Sequence, residues 1–370
     1  MKNILLVVVV SVISSSAQGT EEVYLEGGNL SGLFGENDPF VPDQFRYSNG
    51  FRSLYTLERP LANGPWGSYI HPTFFNSSLY NEHLMNYDGL DQFEDNFSPD
   101  RLDPCTLTLL GTNAAQLNWY KENAQSNWQV DQQTVHILSE NQIDFQFTET
   151  FSVESWGPRE SNKDWVSSMF ASYLMDTTAS KFWFWGKEHP ANSSTWIHFG
   201  GIIPEGGYDY LPLGVPIDEG SVKHESAPHR GTTNIHENAF NVKEHPYKFF
   251  TLPLYVGFVD GDTNRETYDP WSWIMMFDPA EGHNVTFTTF WWWQPEHSTA
   301  LDWQYTVWSP EIGTEYSYDA RIVFKPVSNL GEIVEEYQTF LIDIGYSPEV
   351  AEIYVSQIDT GPLPESIYTP

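Results

Sequence analysis

Cysteine is the scarcest residue type in this chain of 370 residues, which contains a single one at position 105. No disulfide can therefore form within the chain. Secreted eukaryotic proteins of this length usually carry several disulfides, so an exported chain of this composition fits a bacterial periplasm or exterior. Cys105 lies in the alternating stretch 105–110, where we expect its thiol to pack as a small hydrophobic group.

Positive charge is the second shortage. Lysine and arginine together number 17, against 50 aspartates and glutamates, and the formal net charge at pH 7 is −33. Such a chain repels phosphate groups, so we exclude nucleic acid and anionic membranes as partners. The acidity keeps a protein soluble, and it also suits a salty environment, bound calcium, or a neutral or cationic ligand.

Long apolar runs are the third shortage. The one candidate is residues 4–13, which follow Lys2 and precede a run of small residues that ends at Ala17. That order is typical of a secretory signal peptide, here residues 1–17, and the run is too short to span a bilayer. We therefore predict no membrane insertion and a secreted or periplasmic mature chain.

Aromatic residues, by contrast, are abundant, with 15 tryptophans, 20 tyrosines and 24 phenylalanines. The densest stretch is residues 284–294, NVTFTTFWWWQ, in which β-branched and aromatic residues alternate. Alternation with period two predicts a strand. Three successive tryptophans put large rings on both faces of that strand. One face can be buried, and the other can offer a flat apolar surface to a sugar ring.

The same alternation recurs along the chain. Residues 143–154 and 315–326 each place apolar side chains on one face, although Glu149 interrupts the first face, and an inward carboxylate needs a partner. Residues 18–65 indicate irregular structure with one short strand, and residues 81–103 indicate an acidic loop. The pattern as a whole predicts a mostly β fold, a large antiparallel β-sandwich.

The helix signals lie at the C-terminus. Asn329 and Glu332 have the spacing of a capping box, and Ser347-Pro348 has the form of a second helix start. We therefore divide the chain into the signal peptide, a β-supersandwich domain over residues 18–328, and a tail of two short helices over residues 329–370 that packs on the sandwich.

Several features follow one another between residues 255 and 326: a strand ending at Gly257, the turn residues Asp260-Gly261, the segment WIMMFD at 273–278, the aromatic strand, and Trp303 before residues 315–326. In this order they resemble the closing half of a galactose mutarotase-like β-supersandwich, and WGSYIHP at 66–72 resembles an early strand of that fold. Aldose epimerases, polysaccharide lyase domains and non-catalytic sugar-binding proteins share it. The resemblance therefore implies carbohydrate more firmly than catalysis. Epimerases of this type use a His and a Glu on the concave sheet face, and we align neither here.

The densest polar cluster spans residues 224–245 and follows a long loop region rich in glycine and proline. A lyase acting on a uronic acid needs a cation for the carboxylate, a base for the α-proton and an acid for the leaving oxygen. The candidate catalytic residues are His229, Arg230, His236 and Tyr247. The spacing matches no standard zinc motif, and a solvated surface loop is the alternative interpretation.

A second cluster, residues 260–269 with the sequence DGDTNRETYD, carries alternating oxygen ligands of the kind that calcium prefers. The candidate Ca²⁺ ligands are Asp260, Asp262, Asn264 and Glu266. The match to an EF-hand is incomplete, because Arg265 replaces the glycine and Trp271 stands where the closing glutamate belongs. An acidic hairpin turn is the simpler interpretation.

Tryptophan is usually a core residue, but fifteen are more than an interior ordinarily uses. We predict that some of them line a cleft that binds a polysaccharide or oligosaccharide. The candidate substrate-binding residues are His71, Trp291, Trp292, Trp293, Glu296, His297 and Trp303, with Trp308 nearby.

The leading hypothesis is an exported carbohydrate-active protein that binds a glycan and, in its stronger form, cleaves it by β-elimination as a polysaccharide lyase. One alternative is a non-catalytic carbohydrate-binding protein of the same fold. The other is an acidic surface or structural protein that binds calcium. The negative charge disfavours anionic uronates and favours a neutral glycan.

Overall fold

The computed structural model describes residues 22–36, 49–56, 80–86, 105–123, 130–151, 165–174, 181–189, 191–199, 221–224, 249–258, 270–291, 299–308 and 310–368. The strands are β1 Glu22–Gly27, β2 Leu30–Gly35, β3 Gly50–Thr56, β4 Tyr80–Asn86, β5 Cys105–Leu109, β6 Ala114–Trp119, β7 Val130–Ser139, β8 Gln142–Phe151, β9 Trp165–Leu174, β10 Lys181–Lys187, β11 Thr195–Phe199, β12 Ser221–His224, β13 Phe249–Phe258, β14 Trp271–Phe277, β15 Val285–Trp291, β16 Thr299–Trp308 and β17 Glu315–Pro326. The α-helices are α1 Leu330–Asp343 and α2 Pro348–Val355.

Strands β4 to β17 form one sheet in the order β4-β9-β16-β15-β12-β13-β14-β17-β8-β7-β6-β5, with β10 joined to β13 and β11 joined to β10. Strands β1 to β3 form a separate sheet. Among the pairs described, β12 and β13 are parallel and the others are antiparallel. The prediction of a mostly β, antiparallel fold is confirmed.

The large sheet folds back on itself to form a sandwich. Phe170 of β9 stacks on Trp303 of the neighbouring β16 with ring centroids 5.3 Å apart. Phe170 also contacts Phe145 of β8 at 5.0 Å, although β8 and β9 lie far apart in the strand order. Only two facing layers bring these strands together, and the inward residues of both layers fill the core between them.

Two regions that the sequence indicated as irregular are strands. Residues 22–35 form a β-hairpin that pairs with β3, and residues 80–86 form the edge strand β4. The hairpin depends on glycine, because Gly28 in its turn has a φ of +61°. A Cβ on Gly27 would lie 2.2 Å from the carbonyl oxygen of Leu138, so glycine also permits the close approach of this hairpin to β7.

The two helices cover the outer face of the large sheet, where they pack on β13, β14 and β17. Asn329 caps α1 by accepting a hydrogen bond from the backbone N–H of Glu332 at 3.1 Å. Ser347 caps α2 in the same way for Val350 at 3.3 Å. Both predicted helix starts are therefore confirmed. No helix within the described residues has the length and apolar character needed to cross a membrane.

Candidate functional site

The tryptophan-rich strand lies inside the large sheet. Strand β15 runs between β12 and β16 and ends at Trp291. Val285 and Phe287 are buried, and Phe287 contacts Phe277 edge-on at 5.0 Å. One face of this strand is therefore core, as its alternation predicted. Residues 292–294, the remainder of the predicted strand, lie outside the described residues.

A single cross-strand row links β15 to the beginnings of two other strands. Thr288 pairs with Ser221 of β12 and with Asp302 of β16. Asp302 pairs with Ala171 of β9, which pairs with Tyr80 of β4. Tyr80 and Ser221 are the first residues of their strands, and both strands run away from the end of β15. The chain therefore enters β4 and β12 from the side on which β15 ends.

We call this end of the sheet the Trp end and define it by Tyr80, Leu174, Ser221, Trp291 and Thr299. Trp291 lies about 10 Å beyond the cross-strand row and pairs with Thr299, which in turn pairs with Leu174. Four segments outside the described residues join the sheet here: 57–79, 175–180, 200–220 and 292–298. Two of them contain the predicted substrate-binding residues His71, Trp292, Trp293, Glu296 and His297.

The predicted catalytic cluster is attached to the large sheet at the end of β12, away from the Trp end. Strand β12 ends at His224, whose half-buried ring lies 5.6 Å from that of Phe250. Lys223 pairs with Thr286 near the beginning of β15, so the exit from β12 is about 20 Å from Trp291 along the strand. The candidate catalytic residues His229, Arg230, His236 and Tyr247 follow this exit and lie outside the described residues.

The acidic segment that contains Asp260, Asp262, Asn264 and Glu266 also lies outside the described residues. The strands that flank it meet where Phe258 pairs with Ser272. Phe258 is about 30 Å along β13 from Phe249, and β13 runs away from the Trp end. The candidate calcium ligands are thus attached at the opposite end of the sheet. Within the described ranges, no group of three or more His, Cys, Asp or Glu side chains could hold a metal ion.

Trp303 is the predicted substrate-binding residue whose side chain the structure describes. Its exposed fraction is 0%, and its indole stacks on Phe170 inside the sandwich. The prediction that Trp303 lines a binding cleft is therefore wrong for this residue, which belongs to the core. Five further tryptophans among the described residues are buried, so the core holds at least six indoles. They are Trp119, Trp185, Trp196, Trp271 and Trp273.

A buried carboxylate lies among the aromatic rings of the core. Glu149 is 0% exposed, and its Oε2 accepts a hydrogen bond from the hydroxyl of Ser168 in the facing layer at 2.8 Å. Burial is the main reason that the pKa values of Tyr305 and Tyr318 are raised, and the charge of Glu149 raises them further. The sequence signal for this site was the interruption of an apolar face by a charged residue.

A second carboxylate joins the same cluster from the turn between β14 and β15. The hydroxyl of Tyr305 donates to Oε2 of Glu281 at 3.0 Å, and the amide of Asn284 donates to the same oxygen at 3.0 Å. The rings of Tyr305 and Tyr318 lie 4.7 Å apart. Both phenols are protonated at neutral pH. The hydroxyl of Tyr305 donates to Glu281, whereas that of Tyr318 accepts from the indole of Trp303. The sequence did not indicate a polar role for Tyr305 or Tyr318, because tyrosine in an alternating strand looks like an ordinary core residue.

No protein-family model matches the sequence, and no curated protein sequence matches it. Solved structures do match in overall shape. The aldose epimerase homologue from C. elegans is 7% identical over 84% of this chain and 100% of its own, with a TM-score of 0.39. An α-N-acetylgalactosaminidase from Bifidobacterium bifidum is 11% identical over 87% of this chain and 39% of its own, with a TM-score of 0.42. A GH36 α-galactosidase from Geobacillus stearothermophilus is 10% identical over 89% and 42%, with a TM-score of 0.36.

The matched structures include galactose mutarotase-like proteins, the class that the sequence pattern resembles. This chain spans about two-fifths of the two larger enzymes. At these identities and TM-scores, the likeness assigns neither a site nor an activity. Any function of this chain has to be inferred from its own residues.

Proposed function

We propose that the protein is an exported carbohydrate-active protein that binds a polysaccharide or oligosaccharide at the Trp end of the large sheet. The observation that carries the proposal is the cross-strand row from Tyr80 to Ser221, which joins the segments before β4 and β12 to the end of β15. The segments with His71 and with Trp292, Trp293, Glu296 and His297 are attached within one end of one sheet. Indole rings with polar neighbours suit the apolar faces and hydroxyls of a sugar.

The net charge of −33 supports a neutral glycan as the ligand, because uronate carboxylates would be repelled. The stronger form of the proposal is cleavage by β-elimination, which requires a uronic acid in the glycan instead of a neutral ligand. In that form Arg230 neutralises a substrate carboxylate, His236 abstracts the α-proton and Tyr247 protonates the leaving oxygen, with His229 beside them. The segment with these residues is attached about 20 Å from Trp291. This separation supports an extended polymer as the substrate, because a polymer can contact both the Trp end and the candidate catalytic residues.

Binding is tested by electrophoresis through gels that contain neutral or uronic-acid polysaccharides. We expect retardation of the wild-type protein in at least one gel and a loss of retardation for Trp292→Ala. Tyr120→Ala is the matched control, because Tyr120 is an exposed aromatic residue that follows β6, near the other end of the strand order. Equal migration of wild type and Trp292→Ala in every gel would refute binding through this end of the sheet.

Cleavage is tested separately by following the absorbance of unsaturated products on a panel of uronic-acid polysaccharides. We expect activity that is lost in His236→Ala and in Tyr247→Phe. Retardation without any product would support the non-catalytic binding protein and would remove the lyase form of the proposal. Retardation and activity are independent measurements, so each form of the proposal can fail alone.

A further inference from the structure

Among the described strands, β4, β5 and β11 are the ends of the large sheet. An end strand exposes main-chain N–H and C=O groups along its free side, and proteins protect such strands with charge, proline, a bulge or a covering segment. The sequence of β4 contains Glu82. Strand β11 is held against the C-terminal tail, because the indole N–H of Trp196 donates to the carbonyl oxygen of Asp359 at 2.9 Å. Both strands therefore have a form of protection.

Strand β5 has none of these protections among the described residues. Its sequence CTLTL contains neither a charged residue nor a proline, and its ladder with β6 runs without a shift in register. Residues 104–120 as a whole contain no charged residue, in a chain of which 18% of the residues are charged. Leu109 and Leu110, at the end of β5, are exposed large apolar residues. The free side of β5 is thus open to a further strand.

The hydrogen bonds of the β5–β6 hairpin show which main-chain groups lie on that free side. At the turn, the N–H of Leu110 donates to the carbonyl oxygen of Ala114 at 3.0 Å. In an antiparallel ladder every second residue bonds to the neighbouring strand, and the residues between them direct their main-chain groups to the other side. Counted back from Leu110, the even-numbered residues of β5 bond to β6. Leu107 and Leu109 therefore direct their N–H and C=O groups away from β6, where no described strand pairs with them.

We propose that β5 pairs with β5 of a second copy of this chain, in an antiparallel, twofold-symmetric dimer that continues the large sheet from one molecule into the other. The twofold axis passes beside Leu107, so Leu107 faces its own counterpart. In this register Thr106 faces Thr108, and Cys105 faces Leu109. The outward-directed residues then form about six main-chain hydrogen bonds between the copies.

The sequence of β5 favours a second copy as the partner. In the register centred on Leu107, the exposed Thr106 and Thr108 lie opposite each other twice, and facing threonines stabilise a ladder. Every other facing pair is uncharged as well. A twofold interface uses the same patch on both molecules, so the assembly closes with two copies and does not grow into a fibre.

The charge of the chain favours the same choice. Two molecules with a net charge of −33 repel each other, and an uncharged strand is the place where they approach at the lowest cost. A cationic partner would be attracted to the acidic surface elsewhere and would gain nothing from a strand without charge. An interface of one short strand is small, so we expect a weak dimer whose population depends on protein concentration.

Sedimentation equilibrium of the full chain tests the dimer. We expect the mean mass to rise towards twice that of the monomer between about 1 µM and about 100 µM protein, the range of a weak interface. Salt screens the repulsion between the copies, so the dimer should strengthen when NaCl is raised from about 0.1 M to about 1 M. A monomer under all these conditions, or a dimer that salt dissociates, would overturn the proposal.

A proline on the free side separates strand pairing from side-chain contact. Leu109→Pro removes an N–H that points away from β6 and leaves the ladder with β6 intact. We expect it to weaken the dimer by at least about tenfold. Leu109→Ala is the matched control, because it shortens the same side chain and keeps the N–H, and it should weaken the dimer by less than about threefold. Equal effects of the two variants would show that the copies are not joined by strand pairing.

A second pair of variants tests the register, and denaturant unfolding checks that every variant is folded. Thr106→Glu/Thr108→Glu changes two exposed positions and puts carboxylates opposite each other in both facing pairs, which destabilises a ladder. Ser356→Glu/Gln357→Glu is the control, because it adds the same charge at exposed positions after α2. We expect the first variant to be monomeric and the control to dimerise like the wild type. A dimer that persists in Thr106→Glu/Thr108→Glu would refute pairing through β5.

Discussion

Trp303 donates its indole N–H to the hydroxyl of Tyr318 across 2.9 Å, and both side chains are buried. The two residues belong to β16 and β17, which lie far apart in the strand order. Their hydrogen bond therefore crosses the core from one layer to the other. A buried indole needs an acceptor, and this contact explains how the sandwich accommodates a tryptophan at its centre.

Replacement of Tyr318 by phenylalanine removes that acceptor and keeps the ring. We expect Tyr318→Phe to lower the free energy of unfolding by about 1–3 kcal/mol, because the N–H of Trp303 is left buried without a partner. Tyr120→Phe is the control, since Tyr120 is 42% exposed, and we expect a change within about 0.5 kcal/mol. Glycan retardation of Tyr318→Phe should match the wild type. If Tyr318→Phe weakened glycan retardation without changing stability, Trp303 would belong to the ligand site after all.

We expect the buried imidazole of His136 to make the folded protein less stable in acid. Its pKa is about 3 in the folded chain and 6.5 when unperturbed, so between these values the unfolded chain binds a proton that the folded chain does not. The stabilisation from the neutral imidazole is complete above pH 6.5 and is lost as the pH falls towards 3. The total loss is about 5 kcal/mol, from 1.36 kcal/mol for each pH unit.

We expect denaturant unfolding measured from pH 7 to pH 4 to show this decline in the wild type and a shallower one in His136→Phe. His283→Gln is the control, because the side chain of His283 is exposed, and its pH profile should follow that of the wild type. Parallel profiles for wild type and His136→Phe would contradict the assignment of the acid sensitivity to this imidazole.

The fold was predictable from the sequence where the signal is local. Strands β8 and β17 alternate with period two, and the caps of α1 and α2 depend on residues within one helical turn. Strand order carries no such local signal, because β9 and β8 meet only when the sheet folds back. Strand β4 was missed, since its polar sequence YNEHLMN resembles a loop and its strand form depends on pairing with β9.

The candidate site was predictable only in part for the same reason. Glu149 was recognisable in the sequence because it interrupts an apolar face. Its partner Ser168 was not, because only the fold brings the two residues together. The buried polar atoms of β7 were hidden, because polar and apolar residues occur on both faces of that strand. The number of tryptophans does not by itself separate core rings from surface rings, since the core of a two-layer sandwich with helices on its outer face also buries indoles.

Arg321 is a buried cation held by two carboxylates. It is 4% exposed and pairs with Asp144 of β8 and, at 2.8 Å, with Asp343 at the end of α1. Removal of both carboxylates in Asp144→Ala/Asp343→Ala leaves the guanidinium buried and unpaired, and we expect a loss of about 3–5 kcal/mol. Arg321→Met should cost less, because the two carboxylates are 28% and 50% exposed and can be hydrated.

Chemical denaturation of both variants measures this difference. Lys121→Ala is the control for an exposed ion pair, since Lys121 and Asp131 are 46% and 39% exposed, and we expect a change below about 1 kcal/mol. An Arg321→Met variant that is less stable than the double variant would show that packing of the arginine stem, rather than its charge, dominates.

Gly186 permits the close contact between β10 and β13. A Cβ at this position would lie 2.1 Å from the backbone oxygen of Phe249 and 2.8 Å from the Cα of Phe250, at a shift in the ladder between the two strands. Backbone atoms cannot move aside as the end of a side chain can. We expect Gly186→Ala to cost about 3 kcal/mol or more. Gly111→Ala is the matched control, because its Cβ would meet only Oδ1 of Asn113 at 3.5 Å. Equal stability of the two variants would mean that the strands can separate at this point without loss.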